Sequence, residues 1–222
     1  MFNALKRTLS RHRLRDPEYT FLFEPPPPDE SVSIDCETTG LNRRKDDIIS
    51  VAAIKIRGSR ILTSETFEAK VKPETALNLD AIKVHTLREQ DIADGRPMGE
   101  TLPKLLRFIG SRPLVGFYLE FDVAMLNKHV RRMIGIDLPN PQIEVSGVYY
   151  DLKYRGAPPG AQIDLRFASL MNDLGLPILD QHDAAADALM TAMMHVKLVD
   201  RRARGARIPR ERPKAIVQYG GG

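Results

Sequence analysis

A single cysteine, Cys36, leaves this chain of 222 residues unable to close an internal disulfide, so its fold owes nothing to an oxidising compartment. It also lacks an apolar run of ~18 residues, and no membrane span is expected. Its start shows neither the apolar stretch nor the small-residue cleavage site of a secretory leader, which makes the cytoplasm the expected compartment. Internal repeats are missing too. The length suits one substantial domain with extensions, or at most two small ones.

Charge is present but unevenly placed. Residues 1–16 hold Lys6, Arg7, Arg11, Arg13 and Arg15 against Asp16, a net +4. Residues 201–222 hold seven basic side chains against Glu211, a net +6. The whole chain is only +4, so residues 17–200 carry −6. An acidic body that gathers carboxylates can be stabilised by cations, and basic ends can follow a phosphate backbone. Charged ends that only keep the chain soluble are the other reading.

The predicted organisation is a basic arm and Pro-rich linker (1–29), a domain (30–200) and a basic tail (201–222). The arm fits a short amphipathic helix through Phe2, Leu5 and Leu9, or a disordered segment. It could rest on nucleic acid, a partner or an anionic membrane, and a transit peptide has a similar composition. Tyr19 to Phe23 reads as an added edge strand or a docking segment, and Pro25 to Pro28 as a stiff spacer. Strands are predicted at Ser31 to Cys36, Ile48 to Ile56, Ile61 to Val71 and Pro113 to Phe117, the second and third joined by a turn at Arg57-Gly58-Ser59. A broken helical region spans Leu79 to Ala93. Clearer helices run over Thr101 to Ile109, from Asp122 through Ile134, over Leu165 to Leu174, and over Asp183 to Arg201. Val145 to Leu152 fits either a strand or a helical turn. Three antiparallel strands followed by strand–helix alternation give an α/β domain built on a mixed sheet.

The chemistry gathers in acids. In the stretch Ile34-Asp35-Cys36-Glu37-Thr38-Thr39-Gly40, side chains alternate across an extended strand, so Asp35 and Glu37 share a face and Cys36 points to the core. Two adjacent buried carboxylates repel unless they share a proton or a cation. Asp122 lies just past a strand end, near a helix start. Asp187 stands in His182-Asp183-Ala184-Ala185-Ala186-Asp187-Ala188, whose alanines let that helix approach the sheet closely. Strand ends and helix termini that converge at one sheet edge form the usual site of such folds.

These motifs resemble the DEDDh branch of 3′–5′ exonucleases, the family of the proofreading epsilon subunit of bacterial DNA polymerase III. Asp35 to Gly40 is similar to its Asp-x-Glu-Thr-Thr-Gly motif, and His182 to Asp187 to its His-x-Ala-x-x-Asp motif. The second motif is reduced to Tyr118-Leu119-Glu120-Phe121-Asp122, with Tyr118 where the family usually has Asn. Val84-His85-Thr86-Leu87 echoes a further family segment. The resemblance covers roughly Ser31 to Asp200. It implies an RNase H-like fold, a mixed five-stranded sheet with helices on both faces.

It also implies two-metal phosphodiester hydrolysis with Mg²⁺ or Mn²⁺. Asp35, Glu37 and Asp187 would hold one ion, and Asp35 with Asp122 would reach the second. His182 would be the general base. Helical phase alone would choose Asp183, which shares the face of Asp187. The family instead places the histidine at or before the helix start, so Asp183 is left as a cap or an exposed carboxylate. Thr38, Leu41, His85 and Tyr118 are the candidate substrate contacts, and His85 reads equally as a packing histidine. The expected partners are single-stranded nucleic acid 3′ ends and a DNA polymerase subunit. The function implied is release of nucleoside 5′-monophosphates from single-stranded DNA. The alternatives are an exoribonuclease trimming RNA or short oligonucleotides, and a non-catalytic nucleic-acid-binding adaptor.

Overall fold

A computed structural model of the chain describes residues 2–74, 95–180 and 183–210. The described elements run α1 (Phe2–Arg13), a 3₁₀ helix (Pro17–Phe23), β1 (Glu30–Thr38), β2 (Ile48–Arg57), β3 (Arg60–Lys72), β4 (Arg96–Pro97) and α2 (Met98–Ile109). They continue with β5 (Leu114–Gly116), α3 (Leu119–Ile134), β6 (Gln142–Glu144), α4 (Val145–Lys153), α5 (Phe167–Leu174) and α6 (Ala184–Ala203). The six described strands form one mixed sheet in the order β4-β3-β2-β1-β5-β6. β1, β2 and β3 make an antiparallel meander, and β5 and β6 add in parallel beside β1.

The alternation of β1 decides which layer covers which face. Val32, Ile34 and Cys36 enter a core with Leu102, Leu106, Leu119 and Leu126, from α2 and α3. On the opposite face, Ser33 donates its hydroxyl to the Ala188 carbonyl of α6 at 2.8 Å. Ala184 and Ala188 pack there on Ala52 and Ile54 of β2. The small side chains let that helix lie against the strands, as the alanine run predicts. α4, α5 and the rest of α6 share a third cluster around Tyr149, Leu170 and Met194.

The sheet holds six described strands instead of five, and its far edge differs from the prediction. Val145 to Leu152 is helical. Glu144 caps it by accepting the Ser146 N–H, and Val145, Tyr149 and Leu152 repeat at helical spacing to bury one face. The strand on that edge is the three residues before it, and β4 adds the sixth. Tyr19 to Phe23 is a docked 3₁₀ helix, with Asp16 accepting the Glu18 N–H at 2.9 Å and Tyr19 and Leu22 buried in the main core. Past α6, Arg207 donates to the carbonyls of Asp151 and Arg155, and Ile208 is buried with its N–H on the Leu152 carbonyl. The predicted helical region Leu79 to Ala93 lies outside the described residues. No helix among the described residues is long and apolar enough to cross a membrane.

Candidate active site

Asp35 and Glu37 reach the site because β1 stays regular up to them and then breaks. Glu37 pairs with Ser50, but Thr38 pairs with Ile48, so one residue of β2 is skipped in a bulge. A bulge re-aims the chain at a sheet end. Here it leads into a closed loop: Thr39 donates its N–H to Asp47 (2.8 Å) and accepts the Asp47 N–H on its hydroxyl (3.0 Å). Lys128 of α3 clamps the loop by pairing with Asp47 at 3.2 Å. Gly40 lies tight against this loop: a Cβ there would stand 2.6 Å from an Asp46 carboxylate oxygen, and the Asp46 side chain would have to shift.

Asp187 comes from the first turn of α6. Carboxylate oxygens of Asp35, Glu37 and Asp187 all lie within 4.8 Å of one another. Asp183 does not join this set. It caps α6 by accepting the Ala186 N–H at 2.9 Å, one of the two roles left to it by the sequence.

Asp122, from the first turn of α3, is 5% exposed, and its Oδ1 accepts the Cys36 N–H at 3.0 Å. That amide lies between the two acids of β1, so Asp122 ties α3 to the strand at the point where both carboxylates emerge. It stands outside the three-acid set but acts on it electrostatically. Burial first, then the charges of Asp122, Glu37 and Asp187, hold the Asp35 carboxyl well above the usual carboxylate range. Burial also pushes Asp122 up to about 8, against the pull of its backbone hydrogen bonds and with help from Glu37 and Glu144. The strongest neighbouring charges on Asp35 are all carboxylates, so the repulsion here is relieved by a shared proton or by a bound cation. Three convergent hard-oxygen ligands suit a hard divalent cation.

The candidate substrate contacts sort by exposure. Thr38 is buried and donates its hydroxyl to the Gly40 carbonyl at 2.8 Å. Leu41 is 86% exposed and Tyr118 72% exposed, the two most open large apolar side chains described. Arg43, two residues after Leu41, pairs with Glu120 at 2.9 Å and lies over the Phe121 ring, which joins the Leu41 loop to the start of α3 beside Tyr118. His85 and His182 lie outside the described residues.

Glu144 was missed in the sequence. Its carboxylate accepts the Leu119 N–H at 2.9 Å and the Ser146 N–H and hydroxyl at 3.0 and 2.7 Å. An acid two residues before a serine at a helix start is the signal, hidden because 145–152 read equally well as a strand.

The exonuclease family model RNase_T matches residues 32–194. The chain is 29% identical over 171 residues to the DNA polymerase III subunit epsilon of Aquifex aeolicus, covering 76% of this chain and 80% of that protein. It is 28% identical over 176 residues to the PolC-type DNA polymerase III of Caldanaerobacter subterraneus subsp. tengcongensis, which covers 78% of this chain. It spans only 12% of the length of that relative. Among solved structures, the zinc-bound complex of E. coli ExoI with single-stranded DNA superposes with TM-score 0.65 at 17% identity, covering 79% of this chain and 41% of that one. Exonuclease X in complex with 5′ overhanging duplex DNA superposes with TM-score 0.58 at 21% identity, over 80% and 94% of the two chains. These two likenesses show the shared fold: an RNase H-like mixed sheet with helices. With the family model spanning most of the domain, the chain belongs to the RNase_T exonucleases, the group of the epsilon-type nucleases.

Proposed function

We propose that the chain is a metal-dependent 3′–5′ exonuclease that removes nucleoside 5′-monophosphates from single-stranded DNA ends. The observation that carries this reading is the convergence of Asp35, Glu37 and Asp187 within 4.8 Å, beside a buried Asp122 that shares their field. Asp35, Glu37 and Asp187 would hold one Mg²⁺ or Mn²⁺, and Asp35 with Asp122 would serve a second. Such a pair, when bound, stabilises the attacking and leaving oxygens of an in-line displacement. His182 accepts the proton of the attacking water, a task suited to a side chain with an ordinary pKa of about 6.5. Leu41 packs on the terminal sugar or base, Thr38 accepts one hydrogen bond from it on the hydroxyl whose proton goes to Gly40, and Tyr118 offers a ring to the substrate end. His85 remains a further candidate contact. The epsilon-type relatives support a DNA polymerase as partner, and the ExoI complex supports a single strand as substrate.

A gel time course tests the reading, with 3′- and 5′-labelled single-stranded DNA and the matching RNA in Mn²⁺, wild type beside His182→Ala. The expected result is a DNA ladder that shortens from the 3′ end and is lost in the variant. Faster loss of RNA would move the chain to the trimming ribonucleases. No hydrolysis of either, with metal bound, would leave the adaptor reading in front.

A further inference from the structure

The second motif departs from the family at Tyr118, the residue that opens α3. Tyr118 is the N-cap residue of α3, held at φ 61° and ψ 30°, and its side chain makes no capping bond. A bulky L-residue seldom adopts that left-handed region. The connection around it has no slack, because a Cβ on Gly116 would stand 2.7 Å from the Leu119 side chain. The first N–H groups of a helix have no partner within it. Glu144 supplies one from outside: its Oε2 takes the Leu119 N–H at 2.9 Å, while Oε1 is fixed by the N–H and hydroxyl of Ser146. One carboxylate therefore caps two helices, α3 and α4. It does so from the last residue of β6, registered opposite Gly116. A charged acceptor on a helix N-terminus is strong both as a hydrogen bond and through the helix dipole.

We infer that Glu144 is a positioning residue of the active site: by holding the first N–H of α3 it fixes the turn that delivers Asp122 to the Cys36 N–H and to the metal-binding carboxylates. Asp122 needs such a hold. It is buried and repelled by Glu37 and, more weakly, by Glu144 itself. The carboxylate that caps α3 thus also adds to the load the cap must hold, and only one helical turn separates Asp122 from Leu119. If that first turn frays, the bond to Cys36 is lost and the carboxyl swings away from its acidic neighbours. With Glu144 as the cap, Tyr118 is left to present its ring to solvent, 72% exposed. The inference rests on the metal site of the proposed exonuclease.

The test is a double-mutant cycle on Glu144→Ala and Tyr118→Asn, with Glu144→Gln as the conservative variant. The readouts are Mn²⁺ affinity, from titration of the free ion by electron paramagnetic resonance, and kcat and KM on an oligothymidylate. Glu144→Ala is expected to weaken Mn²⁺ binding and lower kcat about tenfold each, the scale of a group that orients a ligand, while KM moves much less. Glu144→Gln keeps an oxygen for the Leu119 N–H and recovers most of both. Tyr118→Asn added to Glu144→Ala restores Mn²⁺ affinity, because asparagine tolerates the left-handed region and brings its own capping oxygen. If Glu144→Ala does not fold, Glu144→Gln with and without Tyr118→Asn makes the same comparison on a smaller scale. A lower melting temperature with unchanged Mn²⁺ affinity, or no gain from the second substitution, would overturn the inference. A wild-type chain that hydrolyses nothing would sink the exonuclease reading instead, and the Mn²⁺ titrations would still decide the role of Glu144.

Discussion

At the start of β1, Glu30 is buried between two guanidinium groups, with Arg57 Nε 2.7 Å from one oxygen and Arg112 Nε 2.6 Å from the other. At the far end of the same strand, Asp35 and Glu37 are set among further acids, and Asp187 and Asp122 add to the negative field. The shifts run in opposite directions. Burial works against ionisation of Glu30, but hydrogen bonds from Arg112 and then Arg57 outweigh it and hold the carboxyl below its usual range. At the other end burial and like charge act together, and Asp35 is raised. One end of the strand is closed by the protein's own cations. The other has no cation of the protein's own among its strongest neighbours and is relieved by a shared proton or by a cation from outside. The difference sets a carboxylate satisfied by the fold apart from a group of carboxylates that the fold leaves in repulsion, without any appeal to motifs.

The strongest way to break this comparison is Asp35→Ala. Hydrolysis is expected to fall by about three orders of magnitude or more, as when a group that stabilises a transition state directly is removed. The metal-free variant is expected to melt at or slightly above the wild-type temperature in EDTA, since a source of like-charge repulsion is gone. A variant that stays active, or one that melts well below wild type, would show that Asp35 is structural in the way Glu30 is.

At the other end, Glu30→Ala leaves Arg112 nearly buried and unpaired, and about 3 kcal/mol of stability is expected to go with it. Activity per folded molecule stays unchanged. The pH dependence carries a definite sign. A carboxyl lowered in the folded state contributes its stability above its unfolded pKa of about 4.3 and loses it as pH falls through the folded value. Denaturant melts of wild type and Glu30→Ala therefore converge below about pH 4. A gap that widened in acid would reverse the assignment.

Metal addition sharpens the contrast further. Mn²⁺ at 100 times its dissociation constant is expected to stabilise the wild type by about 2.7 kcal/mol, and Glu30→Ala by the same increment. Asp35→Ala gains little. Differential scanning calorimetry across a Mn²⁺ series measures all three, and equal gains in every variant would mean that the ion binds elsewhere.

Much of this contrast was legible before the structure. Alternation along Ser31 to Cys36 already sent Asp35 and Glu37 to one face and Cys36 to the core, and the alanines around Asp187 announced a close helix. These are local periodicities, and a strand or helix obeys them wherever it packs. Glu144 was not legible, because its role depends on the end of β6 meeting the start of α3, a contact between residues 25 apart in sequence. Glu30 was hidden for the same reason, since Arg57 and Arg112 reach it from β2 and from the turn after α2. The partners of the basic residues at the end of α6 and past it were hidden for the same reason. A count of positive charges cannot tell that Arg202 and Arg204 pair with Asp151 and Asp200, or that Arg207 holds two carbonyls.

The smallest expected effect separates two acids of one helix. Asp183 and Asp187 stand four residues apart at the start of α6, yet Asp183 accepts the Ala186 N–H while Asp187 joins the three-acid cluster. Asp183→Ala removes a cap and is expected to cost about 1 kcal/mol, whereas Asp183→Asn keeps the oxygen and costs a few tenths. Both variants keep hydrolysis within a few-fold of wild type, because the carboxylates that converge on the cation are untouched. Asp187→Ala, in contrast, loses it as Asp35→Ala does. Rates and urea midpoints for the three variants, read side by side, decide the matter. If Asp183→Asn lost activity while keeping its midpoint, the charge that Asp183 adds at Asp35 would matter to catalysis, and the boundary between cap and ligand would have to move by one helical turn.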